Sequence, residues 1–243
     1  MRDPIYEPRG EAREYAELAL NIYEGCPHGC AYCYAPAVLR KTRDQFAQCH
    51  YRAGLIQALD RQLSCGDFSG RTVHLCFSCD PYPKDVDTSP TREVIWLLKE
   101  AGCHVQILTK NPHAALLDVD LLDGDDWLGT TVTGAGPDIE PGTRHEIVRL
   151  DALSVAKDAG IKTWVSCEPV IDDHAVYRAV IDCDFVDLWR FGKLNHGKPP
   201  VDYAAFCNNI ELICRRHGRN FVIKQSLRKE MGGDARCRCT RDA

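Results

Sequence analysis

Cys26, Cys30 and Cys33 lie close together in Gly25-Cys26-Pro27-His28-Gly29-Cys30-Ala31-Tyr32-Cys33-Tyr34. Three thiolates on one short loop are enough to bind an iron–sulfur cluster while leaving one iron without a protein ligand, and Cys thiolates are the usual ligands of such clusters. An iron left open is a place for chemistry. Structural zinc sites instead close four protein ligands around the ion, often as two Cys-x-x-Cys pairs, whereas here a three-residue gap precedes a two-residue gap. The same residues also admit a zinc knuckle completed by His28 or a distant Cys, or three plain buried thiols.

The elements that must position this loop follow from periodicity. Strand-like runs are predicted at 19–23, 73–77, 105–108, 128–132, 163–166 and 186–191. Between them, apolar residues at three- and four-residue intervals predict helices over 46–63, 90–101, 143–159, 173–181 and 203–216. Ser89-Pro90 opens one helix, and Gly102 and Gly160 close two others. Alternating β and α elements argue for a parallel sheet covered by helices, either a barrel or a doubly wound open sheet. In barrels, functional groups gather at the carboxyl ends of strands. No repeat or linker divides the chain.

The cysteine run resembles the CxxxCxxC signature of radical S-adenosylmethionine (SAM) enzymes. The resemblance implies a 4Fe-4S cluster on Cys26, Cys30 and Cys33, with SAM chelating the fourth iron through its amino and carboxylate groups. It further implies reductive cleavage of SAM to a 5′-deoxyadenosyl radical that abstracts a hydrogen atom from an organic substrate, the cofactor carrying the radical chemistry. Tyr32, before the last ligand, fits a family position whose backbone contacts the adenine. A reducing partner such as a flavodoxin or ferredoxin is implied as well. The expected fold is the α/β partial (β/α)6 TIM-type barrel of that family, with the core over residues 1–200 and a C-terminal helix and basic tail over 201–243.

The second predicted strand ends in Cys76-Phe77-Ser78-Cys79-Asp80-Pro81-Tyr82. Radical SAM enzymes usually carry a Gly-Gly-Glu-like segment here, which this chain lacks. The sequence instead resembles the spore photoproduct lyase-like branch, where a Cys-x-Ser-Asp or Thr-Asp-Pro-Tyr segment occupies the place. Further matches are Thr109-Lys110, Thr131-Val132-Thr133, Ala159-Gly160-Ile161 and Glu168-Pro169-Val170, so the likeness runs over roughly residues 19–195. By this resemblance Ser78, Cys79 and Asp80 are candidates for the SAM amine, Lys110 for its carboxylate, and Thr131 or Thr133 for the ribose. Cys76 is the candidate hydrogen-atom donor, with Cys79 beside it. Strand alternation would put Cys76 and Ser78 on one face and Cys79 on the other unless a bulge intervenes.

Glu168 ends the fifth strand, and a carboxylate at a barrel mouth needs a partner if buried. It is predicted to contact SAM or substrate, or to form an ion pair with a residue such as Arg190. Asn195, in the Gly-punctuated loop 191–198, is a further candidate for closing over a ligand. Cys237-Arg238-Cys239 alone supplies too few ligands for a second metal.

With 243 residues, 44% of them hydrophobic and 27% charged, the chain suits one large core without a membrane-spanning run. The start has no signal-peptide pattern, and fourteen scattered cysteines without one favour reduced thiols and a cytoplasmic location. Net charge is −5, but residues 215–243 carry nine Lys/Arg against three acids. That tail could steer an anionic partner such as nucleic acid. The acidic remainder is poor in the phosphate contacts of a nucleic-acid enzyme, so a peptide, nucleotide or small metabolite is an equal substrate expectation. A non-catalytic iron–sulfur or zinc-binding redox sensor is the alternative from another class.

Overall fold

The computed structural model describes residues 3–195 and 197–231. Its strands are β1 (Leu18–Leu20), β2 (Tyr23–Glu24), β3 (His50–Tyr51), β4 (Thr72–Leu75), β5 (His104–Leu108), β6 (Trp127–Thr131), β7 (Lys162–Cys167), β8 (Leu188–Phe191) and β9 (Phe221–Ile223). Seven of them form one sheet in the order β1-β4-β5-β6-β7-β8-β9, every neighbouring pair parallel. Parallel neighbours require crossovers, and helices supply them. They are α1 (Ala35–Val38), α2 (Arg43–Ala47), α3 (Leu55–Cys65), α4 (Ser89–Glu100), α5 (Pro112–Ala115), α6 (Glu146–Asp158), α7 (Asp173–Asp182), α8 (Tyr203–Arg216) and α9 (Gln225–Arg228). This is the expected α/β partial barrel, with β9 as a further parallel strand beyond the six predicted.

Register and two-residue alternation sort the sheet into two faces. Val73, Leu75, Val105, Ile107, Leu128, Val165, Trp189 and Phe191 fall on one face and are fully buried, joining the helices in the main core. Each such side chain contributes about 1.5–3 kcal/mol through burial. The other face carries His74, Gln106, Leu108, Gly129, Thr131, Trp164, Ser166 and Arg190, which are matched across the strands. Polar groups therefore line the concave side. Caps start the covering helices where the sequence suggests: Asp172 accepts from Ala175 N ahead of α7, and Asp202 accepts from Ala204 N and Ala205 N ahead of α8.

Three boundaries differ from the sequence-based expectation. The first predicted strand, 19–23, divides into β1 in the main sheet and β2, which pairs antiparallel with β3 in a separate two-stranded ribbon. The predicted helix over 46–63 likewise divides into α2, β3 and α3. Its cause is at Phe46, whose carbonyl accepts from Cys26 N at 2.8 Å, while Gln48 takes an extended conformation. The helix predicted from 143 begins only at Glu146, because residues 139–143 turn back against the cysteine loop: Ala31 N donates to Ile139 O and Gly142 N to His28 O, both at 2.9 Å.

Candidate active site

At the carboxyl ends of the strands lies a cavity of about 670 Å³. Cys26, Cys30, Cys33 and Tyr32 line it from the loop after β2; Cys76, Ser78, Cys79 and Asp80 from the end of β4; Lys110, Thr131, Glu168 and Asn195 from later strand ends. Twelve residues widely separated in sequence thus meet in one space. Thr133 is the exception among the sequence candidates: its hydroxyl is buried between Glu140 and Glu146, at 3.2 and 3.3 Å, and accepts from Ala135 N. Cys237 and Cys239 lie outside the described residues, as does the end of the basic tail.

The cysteine loop is pinned on several sides. Gly25 has φ +86°, and a Cβ there would stand 2.3 Å from Gln48 O and 2.6 Å from Phe46 O, so only glycine lets the ribbon and loop approach. Arg43 donates to the carbonyls of Cys30 at 2.9 Å and Ala31 at 2.5 Å, holding the outer turn. His28 is buried, with Nδ1 3.3 Å from Asp80 Oδ2 and Nε2 accepting from Lys84 N at 3.3 Å. Both ring nitrogens are therefore engaged, which leaves His28 no lone pair for a metal.

Asp80 is the knot of this wall. Oδ1 accepts from Tyr82 N at 2.8 Å and Thr109 Oγ1 at 2.6 Å, and Oδ2 accepts from Lys110 N at 2.9 Å beside His28. Burial pushes its carboxyl up, yet His28 and the hydrogen bonds from Lys110 and Thr109 bring it below the usual range. The Lys110 ammonium does not stand free: it donates to Tyr32 Oη at 2.7 Å and to Glu140 at 3.0 Å, and Tyr32 itself donates to Glu140. Arg149, buried, donates to the other Glu140 oxygen at 2.7 Å. Burial raises the Glu140 carboxyl, but Lys110 and Arg149 outweigh it and hold the group down at about 2.

Cys76 does not continue β4. Its φ is +69°, a left-handed value costly for a residue with a Cβ, and its N–H donates to Leu20 O at 2.8 Å. The turn cancels the alternation predicted for this segment, and Cys76, Ser78 and Cys79 all reach the cavity. Asn21 steadies the segment by accepting from Ser78 N at 2.9 Å.

Across the cavity, Glu168 is paired with residues that the sequence did not single out. Its Oε1 accepts from Lys224 Nζ at 2.8 Å, and its Oε2 from the Tyr15 hydroxyl. Arg190, the predicted partner, instead donates to Glu14 O at 2.6 Å and lies over the rings of Tyr15 and Trp164, at 5.2 and 5.9 Å. Desolvation at that position is eased by the ring faces. Lys224 follows β9 as Lys110 follows β5, so a search of strand ends would have found it once Phe221-Val222-Ile223 was taken as a strand; Tyr15 and Glu140 carried no such signal. His74 completes the wall, stacked on Phe77 at 4.3 Å and bonded through Nδ1 to Gln106 at 3.0 Å. Burial lowers it to about 4, so its ring is neutral at pH 7.

Cys26, Cys30 and Cys33 are the loop thiols on this cavity that could hold a metal centre. Ligands of a tetrahedral zinc with bonds of about 2.3 Å sit roughly 3.8 Å apart. Among the described residues, only His104, Asp123 and Asp125 bring three such ligand atoms within 4.8 Å of one another, at the amino ends of the strands. There Lys99 already neutralises Asp123 and Lys162 neutralises Asp125. The thiols of Cys26, Cys30 and Cys33 line one cavity wall and are not among such close sets. Burial raises all three, Cys30 to about 11, so loading metal would release protons.

No family model and no curated protein matches this chain. Among solved structures, spore photoproduct lyase with bound AdoMet and dinucleoside spore photoproduct aligns with TM-score 0.62 and 16% identity, over 88% of this chain and 64% of that one. Streptococcus suis SuiB bound to S-adenosylmethionine aligns with TM-score 0.61 and 13% identity, over 84% and 50% of the two chains. The chain thus spans less than two thirds of either neighbour's length. Both neighbours are radical SAM enzymes, and the fold of this chain is the partial barrel they share.

Proposed function

We propose that the chain is a radical SAM enzyme that abstracts a hydrogen atom from an organic substrate. The observation that carries the reading is the opening of three loop thiols onto the same cavity as the strand-end polar groups, in a fold shared with two AdoMet-binding neighbours. Cys26, Cys30 and Cys33 would hold a 4Fe-4S cluster, and Ser78, Thr131 and Asn195 offer polar groups toward SAM. When bound, cluster and SAM supply a 5′-deoxyadenosyl radical by one-electron reduction.

The protein's own part is positioning. Asp80 and His28 brace the loop against the end of β4, while Glu140 fixes Lys110 and Tyr32 at the back of the thiols. Glu168, Tyr15 and Lys224 form the opposing polar wall. In this reading Cys76, a buried thiol whose proton is held by desolvation, would return a hydrogen atom to a product radical. A reducing protein such as a flavodoxin or ferredoxin is the proposed electron source, and the cytoplasm the proposed compartment. The neighbouring lyase's dinucleoside spore photoproduct is the first substrate to test, nucleotides, peptides and small metabolites following.

Anaerobic reconstitution tests the proposal. The expected result is about four iron and four sulfide per chain, with 5′-deoxyadenosine released when SAM and a reductant are added. Zinc in place of iron, or an intact cluster without SAM cleavage, overturns the reading, the second outcome favouring a sensor. Deuterium transfer from a labelled candidate into 5′-deoxyadenosine identifies the substrate.

A further inference from the structure

Cys76-Phe77-Ser78-Cys79 sets two thiols three positions apart on the cavity wall. That is the spacing of thiol–disulfide couples. The left-handed backbone at Cys76 bends the segment so that both side chains line one cavity. Neither is in a disulfide. Ile22 N donates to Cys76 Sγ at 3.5 Å and fixes the inner sulfur, which is buried, whereas Cys79 is only partly buried and open to reagents entering the cavity. The arrangement has an inner thiol and an outer resolving thiol.

We propose that Cys76 and Cys79 act as one redox couple, Cys76 giving a hydrogen atom to a carbon radical in the cavity and Cys79 capturing the resulting sulfur radical as a disulfide. The hydrogen-atom half rests on the radical reading above; the dithiol–disulfide half stands on the geometry alone. In the first step the Cys76 S–H bond breaks and a C–H bond forms. Cys79 then loses its proton to water and bonds to the Cys76 thiyl, giving a disulfide radical anion. The surplus electron leaves to a one-electron acceptor, an oxidised iron–sulfur or flavin carrier. An external dithiol restores the couple with two electrons and two protons.

Two measurements on the full chain decide it. First, the protein is equilibrated anaerobically in oxidised and reduced dithiothreitol at varied ratio, alkylated and cleaved with trypsin, which releases both cysteines in peptide 72–84. The expected result is a reversible loss of about 2 Da together with both alkylation sites, absent in Cys79→Ser and in Cys76→Ser. Full alkylation at every ratio, or a cross-link to peptide 44–52 carrying Cys49, overturns the couple.

Second, the reconstituted protein is reduced with SAM in D2O without substrate. Exchangeable S–D groups should place one deuterium in 5′-deoxyadenosine and close peptide 72–84, with several-fold less deuterium in Cys76→Ala. Cys79→Ser should still transfer the first atom yet form no disulfide. Undeuterated product overturns the donor half. Absence of SAM cleavage overturns the radical reading and the donor half with it, while the titration still decides the couple.

Discussion

Lys224 Nζ meets Glu168 Oε1 at 2.8 Å, tying the segment after β9 to the end of β7 across 56 residues of sequence. The ammonium side chain is 4% exposed and the carboxylate 16%, so each desolvates the other's surroundings. Removing one partner of such a pair costs about 3–5 kcal/mol by stranding the other charge. Lys224→Met should therefore lower unfolding stability by that order, and Lys224→Met with Glu168→Gln should recover much of the loss. Chemical denaturation of the four proteins of this cycle measures it; a double-variant loss equal to the sum of the two single losses would show that the charges do not depend on each other.

Gly192 gives the same carboxylate its room. A Cβ on residue 192 would lie 2.6 Å from Glu168 Cδ and 2.9 Å from Oε1. Gly192→Ala must push Glu168 away from Lys224 and Tyr15, a cost of about 1–3 kcal/mol for an overpacked site. The expected outcome is that loss of stability in Gly192→Ala, and a much smaller further effect of Lys224→Met in its background. Additive effects would contradict it.

His74 links stability to pH. Its folded value of about 4 lies below the ordinary 6.5 because burial disfavours the imidazolium. The unfolded chain therefore takes up a proton through the range near 6.5 that the folded chain refuses, and stability is full above that range and declines as pH falls toward 4. The decline amounts to at most about 3.5 kcal/mol, since each pKa unit is worth about 1.4 kcal/mol. Denaturation midpoints at pH 7 and pH 5 should differ in the wild type, and the difference should shrink in His74→Gln. Glu140, at about 2, loses its contribution only below the ordinary carboxylate range, from 4.5 downward.

The cysteine loop and the strand ends could be read from sequence because a strand's last residues and a Cys spacing are local features. Cys26, Cys30, Cys33, Lys110 and Glu168 were found this way. What they bind within the protein was not legible. Arg190 was the reasonable partner for Glu168, yet the cation came from Lys224, whose strand has only three residues. Glu140 lies in a turn with no periodicity, and its role arises only where three cationic or phenolic groups converge. The division of the helix predicted over 46–63 has the same origin: Phe46 satisfies periodicity locally, but its carbonyl is taken by Cys26, a tertiary bond that propensity does not contain.

Asp80 separates a bracing role from a ligand role. The sequence resemblance makes it a partner for the SAM amine, whereas the structure already gives its two oxygens four protein partners. In Asp80→Asn an amide NH2 would face either Lys110 N–H and His28 or Tyr82 N–H and Thr109, so at least one donor set loses its acceptor. An unpaired buried group of this kind costs about 1–3 kcal/mol. The expected result is a less stable protein that loads less iron per chain, while the fraction carrying a cluster binds SAM with unchanged affinity. Unchanged stability and iron content with weakened SAM binding would instead make Asp80 a direct SAM ligand, and the braced loop would need another origin for its rigidity.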